Sequence, residues 1–242
     1  MNAPASAPYL PSGTVYGTLL NFRGEHAQWA TRMVEPPYKA PPKAPVLYVK
    51  TANTFTPAGE RIALPAGAPV EVAASIGLVI GWPDDLLAPA GPPGVLGAVL
   101  LNDVAIAHDS YYRPPVKTRC VDGFLGMGAE CVVLARLGGL AGLSSLRLEL
   151  HINGVHRQTT ALSDLVRDAE SLLCEVNAFM SLREGDVLML GTDCLPDGTR
   201  PLVHVGDTVE IVAEGFLATV HHFVADETTR EGRQTLEAGA AP

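Results

Sequence analysis

The sequence has little charge, few cysteines and no long uninterrupted apolar run. Only 18% of its 242 residues are charged, and 26 acidic residues against 17 basic ones give a formal charge of −9. Because nucleic-acid binding needs a concentrated basic face, this balance argues against a nucleic-acid partner. The four cysteines form no Cys-x-x-Cys pair, so we expect reduced, mostly buried thiols and neither a disulfide nor a zinc site.

Signals for membranes and for several common enzyme classes are also missing. The most apolar region, 86–101, contains three prolines and is too short to span a bilayer. The first residues show no basic start followed by an apolar run, so we expect a cytoplasmic protein that does not bind membranes. No Gly-x-Ser-x-Gly elbow, phosphate loop or dinucleotide fingerprint occurs.

What is present is a large apolar fraction arranged mostly in strand-like segments. Hydrophobic residues make up 47% of the chain, enough for a substantial core. Short apolar or alternating runs closed by Gly, Pro or Asp indicate strands, and Asn153-Gly154 indicates a type I′ hairpin turn. We expect an α+β fold that is mainly β, with strands at 14–21, 45–51, 75–81, 95–104, 130–137, 146–153, 186–191, 207–212 and 215–225.

Two helices and a simple domain division complete the prediction. Apolar residues at three- and four-residue spacing predict a helix over 162–179, and a weaker pattern predicts one over 25–33. The proline-rich run 35–45 cannot be helical. We expect one domain over 13–225, with a flexible arm at 1–12 and a flexible tail at 226–242.

Several short motifs, in order along most of the chain, resemble the fumarylacetoacetate hydrolase family. They are Leu-Asn-Phe at 20–22, Tyr-Val-Lys-Thr-Ala-Asn-Thr at 48–54, Leu-Asn-Asp-Val at 101–104, Leu-Gly-Thr at 190–192 and Val-Gly-Asp-Thr-Val at 205–209. Each is weak alone, but their order is specific. The resemblance implies the family's mixed β-roll, or sandwich, with a few flanking helices.

The segment 67–81, GAPVEVAASIGLVIG, resembles the family's metal-binding strand but lacks its two glutamates. Those positions fall on Ala73 and Ser75. The resemblance makes Asp103 the remaining third metal carboxylate. Glu71 shares the strand face of Ala73, but a rise of about 3.3 Å per residue places it ~7 Å away, so a solvent-exposed or hairpin-end role is the simpler interpretation.

The resemblance also suggests which residues meet a substrate. It places Lys50, Asn53 and Thr192 at the substrate pocket, although each could equally be ordinary edge or turn chemistry. Arg119 stands where the family has a lysine, and arginine keeps the positive charge but cannot act as a base near neutral pH. We therefore take Arg119 and Asp103 as the candidate catalytic residues.

The family's chemistry uses Mg²⁺ or Mn²⁺ to chelate a 2-oxo acid or its enol, by the same resemblance. Changes even outside the direct ligands cost roughly 10- to 100-fold in metal affinity. Losing two direct carboxylates should cost at least about 10²–10⁴-fold. We expect this chain to hold at most a remnant of the site, with or without a bound metal.

Within the family, the chain most resembles the first half of the isomerase/decarboxylases of 4-hydroxyphenylacetate degradation, through 37–43, 111–114 and 122–124. This implies a subunit of an enzyme for 5-oxopent-3-ene-1,2,5-tricarboxylate and 2-hydroxyhepta-2,4-diene-1,7-dioate. The implied partner is a homologous second subunit with an intact metal site, in a dimer or higher oligomer. Two alternatives stay open: a non-catalytic scaffold that binds a carboxylate through Lys50 and Arg119, and a self-sufficient hydrolase or decarboxylase using Asp103 and Glu71.

Overall fold

The computed structural model describes residues 8–82, 94–108, 110 and 115–226, and these form two packed sheets with short helices between and beside the strands. Four α-helices are present in these residues: α1 Arg23–Met33, α2 Val116–Arg119, α3 Gly139–Gly142 and α4 Ala169–Asn177. The strands are β1 Val15–Leu19, β2 Val46–Lys50, β3 Phe55–Thr56, β4 Arg61–Leu64, β5 Val70–Gly81, β6 Gly94–Ile106, β7 Leu125–Met127, β8 Val132–Val133, β9 Arg147–Ile152, β10 Val155–Ala161, β11 Val187–Met189, β12 Leu202–Val203, β13 Thr208–Val212 and β14 Thr219–Ala225.

Within the described residues, one sheet has nine strands and the other has five. The path of the larger sheet is β2-β1-β11-β5-β6-β7-β3, with β12 beside β5 and β8 beside β6. The smaller sheet runs β10-β9-β13-β14-β4. Both sheets mix parallel and antiparallel pairs, since β1 with β11 and β4 with β14 are parallel. The predicted mainly β, α+β class is confirmed.

The main core lies between the two sheets. It takes alternate side chains from β5 and β6, such as Ile76 and Leu100, and packs them against Leu150 and Phe223 of the smaller sheet. The long antiparallel pair β5–β6 pairs Ala73 with Asp103. Because side chains alternate across a strand, Asp103 points away from the face that carries Leu100 and Asn102. The face that carries Asp103 also carries Val99 and Leu101, which belong to a second, smaller apolar cluster, so Asp103 is a polar residue on an otherwise apolar strand face.

Most predicted strands appear with shorter ends, and the Asn153-Gly154 turn is confirmed by positive φ angles of 54° and 74°. The prediction of a strand over 130–137 was half wrong. Only β8 pairs with β6, and Leu134–Leu137 then forms a 3-10 turn. Leucine, alanine and arginine favour helical geometry, which explains the change.

The long helix predicted over 162–179 was also wrong at its start. Residues Leu162–Asp164 form a 3-10 turn, and α4 begins only at Ala169. Asn21 holds the intervening chain extended, because its carbonyl accepts the Val166 N–H at 2.8 Å and its side chain accepts the Arg167 N–H at 3.0 Å. The apolar periodicity was thus real, but a capped helix starts in the middle of it. The weaker helix prediction over 25–33 is confirmed by α1.

Two further expectations concern exposure. All four cysteines are free, but none is fully buried and Cys174 is exposed, so the expectation of mostly buried thiols was wrong. Among the described residues, no helix is both long enough and apolar enough to cross a membrane. Most of the predicted arm and nearly all of the tail lie outside the described residues, and the division into arm, domain and tail stays a prediction.

Candidate functional site

A cleft of about 480 Å³ opens beside α1, at the end of β6. Its lining joins α1, Glu71 of β5, the end of β6 with the two residues that follow it, Pro115 and Arg119 around α2, and the turn before β12. The polar residues that line it include Glu25, Gln28, Arg32, Glu71, His108, Arg119 and Arg200. A cleft of this volume falls in the range of small-molecule sites.

Asp103 lies in the wall behind this cleft, where it meets two cations and a phenol. It is 3% exposed. The Lys50 ammonium lies 2.8 Å from its Oδ1, and the Arg119 NH1 lies 2.7 Å from its Oδ2. The Tyr48 hydroxyl donates to the same Oδ2 at 2.5 Å. Both carboxylate oxygens are therefore occupied by groups of this chain.

Lys50 is fully buried and its three donors are all used. Besides contacting Asp103, its ammonium donates to the Val104 and Phe124 carbonyls, each at 2.7 Å. An ammonium has only three N–H donors, so this arrangement leaves none for a substrate. In this structure Lys50 is a buried counter-ion, and the prediction that it contacts substrate lacks a free donor.

Tyr48 reaches Asp103 because a glycine stands opposite it. Gly17 of β1 pairs with Tyr48 of β2, and a Cβ on Gly17 would overlap the Tyr48 ring. The absence of a Cβ at Gly17 therefore leaves the space that the Tyr48 ring occupies. The Arg119 guanidinium carbon lies 4.4 Å from the centre of the same ring, in cation–π contact. Tyr48 thus holds both the carboxylate and its arginine in place.

These contacts fix the charge states of the group. Burial alone would raise the pKa of Asp103, but Lys50 and Arg119 outweigh it and hold that pKa at about 2. Burial raises the pKa of Tyr48 well above its usual value, with the negative charge of Asp103 adding to it. Near neutral pH Asp103 is ionised and a very weak base, and Tyr48 stays protonated.

A second buried ion pair, between Arg200 and Glu25, ties α1 to the turn before β12. Arg200 NH2 donates to Glu25 Oε1 at 2.6 Å and to the Thr192 hydroxyl at 3.3 Å. The other Glu25 oxygen accepts the Leu20 N–H at 2.7 Å. Asp193 adds to this connection by accepting the Glu25 N–H at 2.9 Å. Thr192 therefore orients Arg200, which is the group that lines the cleft.

Glu71 is the half-buried carboxylate of the cleft. It lies on β5, opposite Ala105 of β6 and Leu202 of β12. Burial raises its pKa, while the positive charges of Arg200 and Arg119 partly oppose that rise. It therefore lies close enough to both guanidinium groups to feel their charge, rather than at the solvent-exposed end of a hairpin.

The remaining predicted site residues lie outside the lining of the cleft. Asn53 is exposed and donates to the Cys120 carbonyl and to the Asp122 carboxylate, which orders the loop after α2. Ser75 is fully buried and donates to the Gly191 carbonyl at 2.7 Å. Of the candidate catalytic and substrate-binding residues, only Arg119 lines the cleft directly.

The residues present do not suit a divalent metal. Asp103 is engaged by two cations, Ala73 offers no ligand, and the Ser75 hydroxyl is turned to a backbone carbonyl. In the part of the chain that the structure describes, no group of three or more His, Cys, Asp or Glu side chains could hold a metal ion. Hard divalent cations require several oxygen ligands, so we derive no reaction step through a metal in this chain.

Sequence reasoning missed three contributors to the site: Glu25, Tyr48 as a ligand of Asp103, and Arg200. Tyr48 stood inside a quoted motif, and its alternation with Lys50 on one strand could have revealed it, because residues two apart share a face. Glu25 and Arg200 are separated by 175 positions, and no local spacing connects them.

Comparison with known proteins shows which family this chain belongs to. A family model described as the fumarylacetoacetate (FAA) hydrolase C-terminal domain matches residues 14–224. The chain belongs to this family. The bifunctional isomerase/decarboxylase of 4-hydroxyphenylacetate degradation from Escherichia coli is 34% identical over 228 residues, covering 93% of this chain and 50% of that protein. The chain therefore spans about half the length of this curated relative.

Solved structures agree with the fold. The 5-carboxymethyl-2-hydroxymuconate delta-isomerase of Mycobacterium smegmatis superposes with a TM-score of 0.68 at 27% identity, covering 91% of this chain and 79% of that one. Maleylpyruvate hydrolase from Sphingobium sp. SYK-6, solved with manganese(II) and pyruvate, gives a TM-score of 0.66 at 18% identity over 89% and 71% of the two chains. The predicted family and its fold are confirmed.

Proposed function

We propose that this chain is one subunit of a decarboxylase/isomerase of 4-hydroxyphenylacetate (homoprotocatechuate) meta-cleavage catabolism. The observation that carries the proposal is the 34% identity between 93% of this chain and half of a bifunctional isomerase/decarboxylase. A chain that matches half of a two-activity enzyme fits the role of one of its two parts. The substrates would be 5-oxopent-3-ene-1,2,5-tricarboxylate and 2-hydroxyhepta-2,4-diene-1,7-dioate.

The same proposal assigns the metal to a partner. Because Asp103 is neutralised by Lys50 and Arg119, the metal site of this chain is degenerate. A homologous second subunit that keeps the glutamate pair would hold the Mg²⁺ or Mn²⁺. The complex would be a dimer or higher oligomer in the cytoplasm, and this chain would stabilise or complete the active subunit.

The test compares decarboxylation and isomerisation by three samples, each with Mg²⁺ or Mn²⁺. They are this chain alone, a metal-competent homologous subunit alone, and the two combined. We expect no turnover by this chain alone and higher turnover by the mixture than by the partner alone. Turnover by the isolated chain would contradict the degenerate site, and a partner unaffected by this chain would contradict the subunit role.

A second candidate is a family member that binds a carboxylate without catalysis. The buried cations behind the cleft favour it, but not in the form that uses Lys50, whose donors are engaged. The self-sufficient enzyme using Asp103 and Glu71 has less support, because a carboxylate with a pKa of about 2 is a poor base near neutral pH.

A further inference from the structure

Two histidines lie side by side on the outer face of the smaller sheet. His151 of β9 pairs with His156 of β10, next to the Asn153-Gly154 turn. Residues directly opposite each other in an antiparallel pair point to the same face, with Cβ atoms about 4.5–5.5 Å apart. Leu150 and Ile152 of β9 belong to the core, so alternation turns His151 outward. Both imidazoles therefore lie on the outer side of one hairpin.

The spacing of the two rings suits a metal ion between them. Their centres lie 5.4 Å apart, and their planes are inclined at 70°. A metal about 2.1 Å from one nitrogen of each imidazole lies about 3.2 Å from each ring centre. A tetrahedral angle at that metal places the two centres about 5.2 Å apart. The rings therefore already have the separation that a shared metal requires.

Neighbouring side chains orient both rings. The Thr159 hydroxyl contacts Nε2 of His156 at 2.8 Å, which leaves Nδ1 as the nitrogen of that ring for a metal. On the other ring, Nδ1 of His151 has no hydrogen-bond partner among the described residues, and Nε2 lies 3.9 Å from the Glu149 carboxylate. Histidines that bind metals usually have their second nitrogen beside a carboxylate or another polar group, which fixes the ring.

The charges around the pair are close to balanced. Glu149 lies beside His151, and Glu210 of β13 stands directly opposite His151 on its other side. The exposed Arg147, two residues before Glu149, and the exposed Arg157, at the β-bulge of β10, carry the opposite charge. Affinity for a metal would therefore come from the two imidazoles and not from surplus negative charge.

We propose that His151 and His156 together bind one transition-metal ion of the Zn²⁺, Ni²⁺ or Cu²⁺ type, with water in its remaining positions. Imidazole nitrogen suits these ions, whereas Mg²⁺ prefers oxygen ligands. The bound ion joins β9 to β10 and stabilises the hairpin. The two histidines do not line the cleft, so this inference is independent of the proposed function.

The test is calorimetric titration of the full chain with Zn²⁺ and with Mg²⁺. A Cys174→Ser background removes the exposed thiol, because thiolate is another zinc ligand. We expect one Zn²⁺ per chain and no binding of Mg²⁺. His156→Asn removes a direct ligand and should weaken Zn²⁺ binding at least about 10-fold. His204→Asn is the matched control and should leave the Kd unchanged, because the exposed His204 lies beside Asp207 and not beside a second histidine.

Two further readouts identify the ligands. Electron paramagnetic resonance of bound Cu²⁺ should show coupling to two imidazole nitrogens, and to one in His156→Asn. Zn²⁺ at about a hundredfold excess over its Kd should raise the Tm by about 5–10 °C, and by less in His156→Asn. His156 is exposed, so its replacement should leave the chain folded. Absence of Zn²⁺ binding, an unchanged affinity in His156→Asn, or a single coupled nitrogen in the parent chain would overturn the proposal.

Discussion

The buried ion group predicts a large and pH-dependent cost for Asp103→Asn. The substitution keeps the shape of the side chain but removes the single negative charge that Lys50 and Arg119 share. Both cations then stay buried without a counter-charge. Removing one partner of a buried ion pair destabilises a protein by about 3–5 kcal/mol, and we expect that loss in the free energy of unfolding near neutral pH.

The pH dependence follows from the pKa of Asp103. Its value in the fold is about 2, against an ordinary value of 3.8. A depressed pKa stabilises the folded protein above the ordinary value, and this contribution disappears as the pH falls through the folded value. The shift corresponds to about 2 kcal/mol. The difference between wild type and variant should therefore shrink by about that amount between about pH 4 and pH 2.

The assay is urea unfolding followed by circular dichroism at several pH values. Asp164→Asn is the matched control, because Asp164 is exposed, and its effect should stay within about 0.5 kcal/mol. A variant as stable as wild type near neutral pH would refute the buried ion group. A large loss that does not shrink in acid would refute the assignment of the depressed pKa to Asp103.

Three further predictions concern the scaffold. Gly17→Ala should cost about 1–3 kcal/mol in the free energy of unfolding, because its methyl would overlap the Tyr48 ring. Asp168→Ala should cost about 1 kcal/mol in denaturant unfolding, because Asp168 caps α4 with a hydrogen bond of 2.8 Å to a helix N–H. Maleimide labelling read by mass spectrometry should modify the exposed Cys174 before Cys131, since burial raises the pKa of the Cys131 thiol to about 11 and thiolate is the reactive form.

The scaffold predictions have internal controls. Gly94→Ala meets no atom within 4 Å and should leave stability nearly unchanged, whereas an equal loss there would contradict the overlap argument. Ser163→Ala lies in the 3-10 turn before α4 and should matter less than Asp168→Ala. If it costs as much, the helix does not begin where its cap indicates. Labelling of Cys131 ahead of Cys174 would contradict the burial of Cys131.

The strands could be predicted because each has a local signal. Alternation over 146–153 and the Asn153-Gly154 turn specify β9 and the hairpin to β10 without reference to distant residues. The start of α4 has a local signal in its N-cap Asp168, but the apolar periodicity continues before it, and Asn21 holds those earlier residues extended from 146 positions away by accepting the Arg167 N–H. Tertiary hydrogen bonds of this kind override a continuous apolar periodicity.

The residues of the site likewise fall into those that the sequence could predict and those that it could not. Asp103 and Arg119 could be predicted from the family resemblance, and the structure places them in one ion pair. The missing glutamates indicated a vacant metal position, and the alternation of Tyr48 with Lys50 on one strand was the one signal that both side chains meet Asp103. Spacing could not bring Arg200 to Glu25, since they meet only when the turn before β12 packs on α1.

The charges of this site bear on whether metal chemistry can take place in this chain. Lys50 and Arg119 carry two positive charges against the one negative charge of Asp103, and the Glu71 carboxylate lies in the same lining as Arg119, so this group does not replace the charge of a divalent ion. An ammonium and a guanidinium cannot chelate two oxygens of one substrate as a metal does. The N–H donors of the Lys50 ammonium are, moreover, already engaged by groups of this chain. The isolated chain should therefore show no turnover, and turnover should appear only beside a subunit that keeps the glutamate pair. The assay of the separate and combined subunits tests both parts of this expectation.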